Sequence, residues 1–293
     1  MLSGMARIAI IGGGSIGEAL LEGLLSAGRQ VKDLVVAEQD PARAKYLSEK
    51  YSVLVTTVAD AVGTAAYVVV AVKPADVEDV LGEIAAAAAQ LESNAAEQVV
   101  VTLAAGITTA YYENKLPAGS AVVRVMPNAP MKVRGGVSAL ASGRFATDEH
   151  VKEVSTLFRA VGEVLTVDEA QIDAVTAVSG SGPAYFFLMV EALVDAGVDA
   201  GLSRSVATKL TMHTMAGSAA MLLDRHDAAP PDGDAEMVLA ADTAAAQLRA
   251  TITSPGGTTA AGLRELERGG LRAAVANAVN AAKQRSERLG NYT

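Results

Sequence analysis

The sequence predicts an α/β protein in two parts: a doubly wound parallel sheet over residues 1–167 and an all-α region over residues 168–293. Three observations predict it. Short, wholly apolar runs alternate with helical patterns up to about residue 165, as in a parallel sheet covered by helices on both faces. A glycine-rich turn separates the first apolar run from the first helix. Beyond Asp168 the pattern is helical throughout, with no convincing strand.

The elements follow in order. Ala6–Ile11 is a short apolar strand, broken by Gly12–Gly14, and Ser15–Ala27 is a helix closed by Gly28. Leu34–Ala37 is the second strand, and Pro41–Lys50 a helix with proline in its first turn. Val53–Val55 and Tyr67–Val72 are strands, the latter ended by Lys73-Pro74. The alanine-rich Ala75–Leu91 is a helix, followed by buried strands Val99–Leu103 and Ala121–Val125. Strands Val137–Leu140 and Val164–Val167 flank a helix over Thr147–Val161. Helices are then expected over Gln171–Val178, Ala184–Ala200, Ser203–Leu223, Met237–Ile252, Thr259–Arg268 and Leu271–Leu289. Asp224–Asp234 reads as an acidic, solvated loop.

Composition narrows the partners. The 293 residues are 51% hydrophobic, much of it alanine, so helix packing rather than an aromatic core is expected. A net charge of −9 repels phosphate backbones and anionic membranes. Aromatics at 4% leave few stacking platforms for bases, which also argues against nucleic acid. Zero cysteines exclude disulfides and thiolate metal sites and suit a reducing cytoplasm. The three histidines, His150, His213 and His226, lack ligand spacing, so no metal site is expected. No transmembrane span is expected, since the longest apolar stretches, such as Ala65–Val72, are too short to cross a bilayer, and no signal peptide, since the N-terminal run flows into the glycine turn rather than a cleavage site. Met5 is an alternative start.

Gly12-Gly13-Gly14-Ser15-Ile16-Gly17 is a G-x-G-x-x-G turn between a strand and a helix, the context that gives the pattern meaning. Gly12 permits the tight turn, Gly14 the approach of a diphosphate, and Gly17 close helix–strand packing. Ser15 and Ile16 begin a helix whose free N–H groups and positive dipole face that anion. Together these residues indicate a dinucleotide-binding, Rossmann-type domain. Glu38, at the end of the second strand, stands where an acid holds the adenosine ribose hydroxyls, which tilts the cofactor toward NADH. Arg43 and Lys45 on the next helix could still receive the 2′-phosphate of NADPH. Lys73 and Pro74 follow the fourth strand at the carboxyl edge, where such sheets bind ligands.

Three further segments place glycine and proline within helical surroundings: Met126-Pro127-Asn128-Ala129-Pro130, Ser179-Gly180-Ser181-Gly182-Pro183, and Ser254-Pro255-Gly256-Gly257-Thr258-Thr259. In the last, Pro255 lacks an N–H and the glycines supply unusual backbone angles. Thr258 or Thr259 suits the N-cap of the next helix. Such a turn presents N–H groups and hydroxyls to an anion.

With IGGGSIGEA, VVVAVKP, LAAGIT, VRVMPNAP, AVSGSGPAYFF, DAGVDAGLSR and TSPGGTTAAGL in this order, the chain resembles the pyrroline-5-carboxylate reductase family over nearly its whole length. The resemblance implies hydride transfer from NADPH or NADH to the cyclic imine 1-pyrroline-5-carboxylate, giving L-proline, the last step of proline biosynthesis. It implies a helical dimerisation domain, homodimers and assembly into a ring of five dimers. Ser254, Gly257, Thr258 and Thr259 would then cradle the substrate carboxylate, with Thr259 near the ring nitrogen, and Ser254 and Thr259 serving catalysis. Ser181 and Gly182 would face the substrate. Val72 and Ala105 would join Lys73, Pro74 and Asn128 on the cofactor side, Asn128 toward the nicotinamide. One departure is the stretch before SPGGTT, where Asp224–Ala245 is enlarged.

A protonated imine is already electrophilic, so positioning does most of the work, which suits a chain without an obvious catalytic dyad. A β-hydroxyacid dehydrogenase, the rival enzyme, needs a proton acceptor. After Gly180-Ser181-Gly182-Pro183 no lysine occurs before Lys209. A non-catalytic dinucleotide sensor would have no use for the second anion cradle.

Overall fold

The structure, a computed structural model, describes residues 6–89, 98–227 and 244–290. Eight strands form one sheet: β1 (Ile8–Ile11), β2 (Leu34–Ala37), β3 (Leu54–Thr56), β4 (Tyr67–Val70), β5 (Val99–Thr102), β6 (Ala121–Met126), β7 (Gly136–Ser142) and β8 (Gly162–Thr166). Their order is β3-β2-β1-β4-β5-β6-β7-β8. Pairing is parallel except between β6 and β7, which run antiparallel. An apolar run specifies a buried strand but not its direction, so this reversal is a structural finding.

The alternation of side chains splits the sheet into two cores. Ile8, Ile10, Leu34, Val36, Val69, Val101 and Val123 pack on one face, against Leu20, Leu21 and Leu24 of α1 (Ser15–Ser26) and Leu157 and Phe158 of α6 (Asp148–Phe158). Ala9, Ile11, Val35, Val68, Val70, Val100 and Val122 pack on the other, against α3 (Val58–Val62), α4 (Val77–Ala88) and Tyr112 of α5 (Thr109–Lys115). α3 and α5 have five and seven residues, too short to show a helical period. α2 (Pro41–Tyr51) is capped by Asp40, whose carboxylate accepts from Ala42 N and Arg43 N.

The chain continues through Glu169–Gln171 and α7 (Ile172–Val175) into a π-helical turn over Thr176–Gly180 and then α8 (Gly182–Asp199). The Ser179–Pro183 cluster is thus not a break between helices. The widened turn and Pro183 at the second position of α8 let helix continue, because proline's missing N–H is tolerated in a first turn. The run Glu169–Asp199 is long and apolar enough, by length and composition, to cross a bilayer. Glycine and serine interrupt its apolar stretch, which hid this in the sequence. Glu169 is held by Thr109 N at 2.7 Å, Thr109 Oγ1 at 2.6 Å and the buried Arg124 at 3.2 Å, which fixes where this run leaves the sheet.

Two compact units emerge, Met1–Pro183 with Val279–Thr293, and Ala184–Ala278. The second contains most of α8, α9 (Arg204–Asp227) and the helices Ala244–Thr251 and Thr258–Arg268. Leu271–Gly290 begins there and ends in the first unit. α9 runs to Asp227, so Asp224–Asp227 is helical rather than loop; the rest of the expected acidic loop and the start of Met237–Ile252 lie outside the described residues. The end of Ala75–Leu91 does so as well. α8 and α9 approach closely at Gly197, where a Cβ would lie 3.1 Å from Ala207 Cβ. Among the described residues of this unit, only Val194, Ala207 and Ala244 are buried hydrophobics.

One charged cluster joins α1 to α2. Glu18 accepts from Arg43, from Lys50 Nζ at 3.0 Å, and from the Tyr46 and Tyr51 hydroxyls. Arg43 Nε also donates to Gly13 O at 2.7 Å. Burial pushes the Glu18 carboxyl up, but Arg43, Lys50, Tyr51 and Tyr46 together hold it down at about 2, against an ordinary 4.5. The folded state therefore favours the charged form. Its contribution to stability is complete above about pH 4.5 and lost as the pH falls toward 2. In urea titrations across that window, Glu18→Gln should flatten the acid loss of stability relative to the unsubstituted chain. An identical acid slope in both would contradict the role given to Glu18.

Candidate functional site

The strand order places β1 beside β4, with the chain running outward in opposite senses from that pair. In such sheets the carboxyl ends at this switch point form the ligand crevice. A cleft of about 1050 Å³ lies there, lined among others by Gly12, Gly14, Glu38, Lys45, Val72 and Lys73. A second, of about 410 Å³, is lined among others by Ile16, Val72, Met126, Asn128, Thr176 and Ser181. Both share Ala71 and Val72.

Each glycine of the 12–17 turn meets a different constraint. Gly12 has φ +100°, where side chains are strained, and a Cβ would also sit 2.9 Å from Ala71 O. At Gly17 a Cβ would sit 2.0 Å from Gly12 O. Gly14 has φ −64° and nothing within 4 Å of its ideal Cβ. Neither fold nor backbone angle demands glycine there, so what it leaves open is room for a ligand. Gly14 is the N-cap of α1 and has no side chain to cap the helix. The first-turn N–H groups, beginning with Ser15 and Ile16, thus await an anion.

Glu38 is held over this turn. One carboxylate oxygen accepts from Gly13 N and the other from Asp40 N, each at 2.9 Å. Of the cations Arg43 and Lys45, Arg43 is committed to Glu18 and Gly13 O, whereas Lys45 is exposed on the cleft wall with only a loose 3.8 Å pairing to Glu49. Pro74 begins a short 3₁₀ turn and Ala105 lies in the loop after β5; neither lines the clefts.

Asn128 follows β6 and is 9% exposed. Its Oδ1 accepts from Val137 N at 2.9 Å, and its Nδ2 donates to Ser179 O at 3.2 Å. The carboxamide is thus engaged at both ends. Ser181 N closes the π turn on Thr176 O at 2.8 Å, and Gly182 opens α8 with no neighbour within 4 Å of an added Cβ.

In the second unit, Gly256 has φ +69° and Gly257 N donates to Ser254 O at 3.0 Å, forming a tight turn before the helix Thr258–Arg268. The N-cap is Gly257, not Thr258 or Thr259 as the sequence suggested. Glycine takes the extended cap conformation and leaves both threonines in the first helical turn. Among the described residues, no hydrogen bond engages the side chains of Ser254, Thr258 or Thr259.

A switch-point cleft, an uncapped helix start behind an open glycine and an acid at the end of β2 define a dinucleotide-dependent oxidoreductase. Comparison with known proteins narrows the class. Residues 169–289 match the family model for pyrroline-5-carboxylate reductase dimerisation, and residues 7–106 that for NADP oxidoreductase, coenzyme F420-dependent. The chain is 68% identical over 290 residues to the pyrroline-5-carboxylate reductase of Mycobacterium tuberculosis, covering 99% of this chain and 98% of that one. A solved pyrroline-5-carboxylate reductase from Coxiella burnetii superposes with TM-score 0.84 at 33% identity, covering 97% and 98% of the two chains. The Plasmodium falciparum pyrroline carboxylate reductase, solved with NADP bound, superposes with TM-score 0.79 at 28% identity over the same shares. The chain belongs to the pyrroline-5-carboxylate reductase family.

The two glycines make a discriminating pair. Gly17→Ala should lower stability by about 1–3 kcal/mol, because backbone must move. Gly14→Ala should leave Tm almost unchanged and weaken NADPH binding about tenfold or more, measured by cofactor fluorescence. Unaltered cofactor affinity in Gly14→Ala would contradict the assignment of the turn.

Proposed function

We propose that this chain reduces 1-pyrroline-5-carboxylate to L-proline with NADPH or NADH, as its relatives' names indicate for them. The observation that carries the reading is full-length identity of 68% to such a reductase. The open Gly14 position supports it independently.

The residues present fit a dinucleotide. The Gly14, Ser15 and Ile16 end of α1 offers N–H groups to the diphosphate, Glu38 faces the adenosine ribose, and Val72, Lys73 and Pro74 follow β4 on the cofactor side. When bound, the reduced cofactor supplies a hydride to the imine carbon while the ring nitrogen takes one proton. Ser254, Gly257, Thr258 and Thr259 hold the substrate carboxylate, using hydroxyls and the N–H groups of the first helical turn after Gly257, which no side chain caps. The Thr259 hydroxyl, or water, serves the ring nitrogen. The chain's work is to orient, since a protonated imine needs no strong base. Glu38 tilts the preference toward NADH, and Lys45 is the cation left to answer a 2′-phosphate.

The test is loss of reduced-cofactor absorbance on adding 1-pyrroline-5-carboxylate. Turnover is expected with both cofactors, and Glu38→Ala should lower kcat/KM for NADH more than for NADPH. Thr259→Ala should raise KM, lower kcat or both by roughly tenfold or more while sparing cofactor affinity. Bound cofactor without turnover would favour a sensor, and unchanged Thr259→Ala kinetics would remove Thr259 from the site.

The dimerisation match implies a homo-oligomer. We infer that a second copy covers the apolar side chains that α8 leaves open, among them Phe186, Phe187 and Leu188, each more than 60% exposed. A membrane could cover the same side chains, but a matched dimerisation region and net charge of −9 favour another copy. The family resemblance implies a ring of five such dimers, and the absence of cysteine suits the cytoplasm. Phe187→Asp should shift the mass in light scattering toward the monomer; an unaltered mass would place the interface elsewhere.

A further inference from the structure

We infer that Asn128 is a positioning residue that replaces a backbone donor Pro183 cannot supply, and so sets the π turn at the second cleft (the inner cleft). The inference deepens the reductase reading and rests on it for what that cleft does.

In a helix, the carbonyl of Ser179 would look to the N–H four residues on. That residue is Pro183, which has none. Asn128 Nδ2 donates to the Ser179 carbonyl instead, across 51 residues of sequence. The other end of the carboxamide accepts from Val137 N on β7. Each end thus faces a group of the opposite kind, which fixes the orientation of the amide. A buried carboxamide therefore ties the sheet to the π turn, and the turn lines the cleft through Thr176, Gly180 and Ser181. π turns recur where a helix must present a functional group.

With its amide spent on backbone, Asn128 acts on the bound reactants through the segment Thr176–Ser181. Misplacing such a segment by an ångström lowers turnover far more than cofactor affinity. None of the residues lining the inner cleft is titratable. The charged groups on surrounding elements are Arg124 on β6, paired with Glu169 at 3.2 Å, Lys132 and Arg134 on the turn after Asn128, Glu163 opposite Val137 on β8, and Asp173 on α7, which accepts from Ser286. Lys132, Arg134 and Glu163 are exposed.

The test is Asn128→Asp, whose carboxyl has the shape of the amide. Ionised, it turns an oxygen toward the Ser179 carbonyl; protonated, it donates there and still accepts from Val137. Burial favours the protonated form, so recovery should come as the pH falls from about 8 toward about 5. The expected result is a kcat roughly 10- to 100-fold below the unsubstituted enzyme near pH 8, rising relative to it as the pH falls, with NADPH Kd within about threefold throughout. The Tm deficit of Asn128→Asp should shrink over the same range. A kcat ratio and Tm deficit both flat with pH would overturn the proposal, as would a large loss of NADPH affinity, which would make Asn128 a ligand. Should Asn128→Asp fail to fold, Asn128→Ala with Pro183→Ala gives a second reading. Restoring the N–H at 183 should return most of the lost kcat, and a double variant no faster than Asn128→Ala would overturn the proposal. If the unsubstituted chain does not turn over pyrroline-5-carboxylate, the reductase reading falls, while the Tm behaviour still reports on the hydrogen bond.

Discussion

The unsatisfied N–H groups at the start of α1 are the constraint around which the first unit is arranged. A helix start without a capping side chain is costly unless something else takes its donors. Here Gly14 withholds a cap, Gly12 turns the chain sharply enough to aim the helix, and Gly17 lets it lie against β1. Glu38, which could have served as a local anion, is engaged by Gly13 N and Asp40 N beside the turn. The Arg43 and Glu18 pair ties α2 to the same turn from behind. The nearby carboxylates of Glu18 and Glu38 are engaged by protein donors, which leaves the helix start without a protein anion.

The second unit answers a different demand. Among the described residues its helices bury few of their own apolar side chains, which leaves an apolar surface for a partner. Membership of a family whose matched region is a dimerisation domain gives that surface an owner. The same logic makes an exposed Phe187 a structural asset in an assembly, where in a lone chain it would promote aggregation.

Much of this was legible in the sequence because burial writes itself into composition. Strands such as Ile8–Ile11 are buried on both faces and read as unbroken apolar runs. The glycine turn was legible because Gly12 and Gly17 stand where the fold excludes a side chain. What was hidden depended on long-range partners or on geometry with no residue signature. α3 and α5 are too short to show a period, and the antiparallel step into β7 leaves no trace in hydropathy. The Glu18–Arg43 pair spans 25 residues of sequence. Ser179–Pro183 looked like a break because glycine and proline usually mark one, whereas a π turn and a donor from Asn128 carry helix through. At Gly257 a threonine cap was the natural expectation, and glycine in the cap position frees both threonine hydroxyls.

Two uncapped helix starts, at Gly14 and at Gly257, are proposed as anion sites serving one reaction. The decisive measurement is a crystal structure of the full chain with NADPH and proline bound. The diphosphate is expected on the N–H groups following Gly14, the proline carboxylate on those following Gly257, and the proline ring beside the nicotinamide. Proline held away from the nicotinamide in every subunit, or a diphosphate bound away from α1, would contradict it.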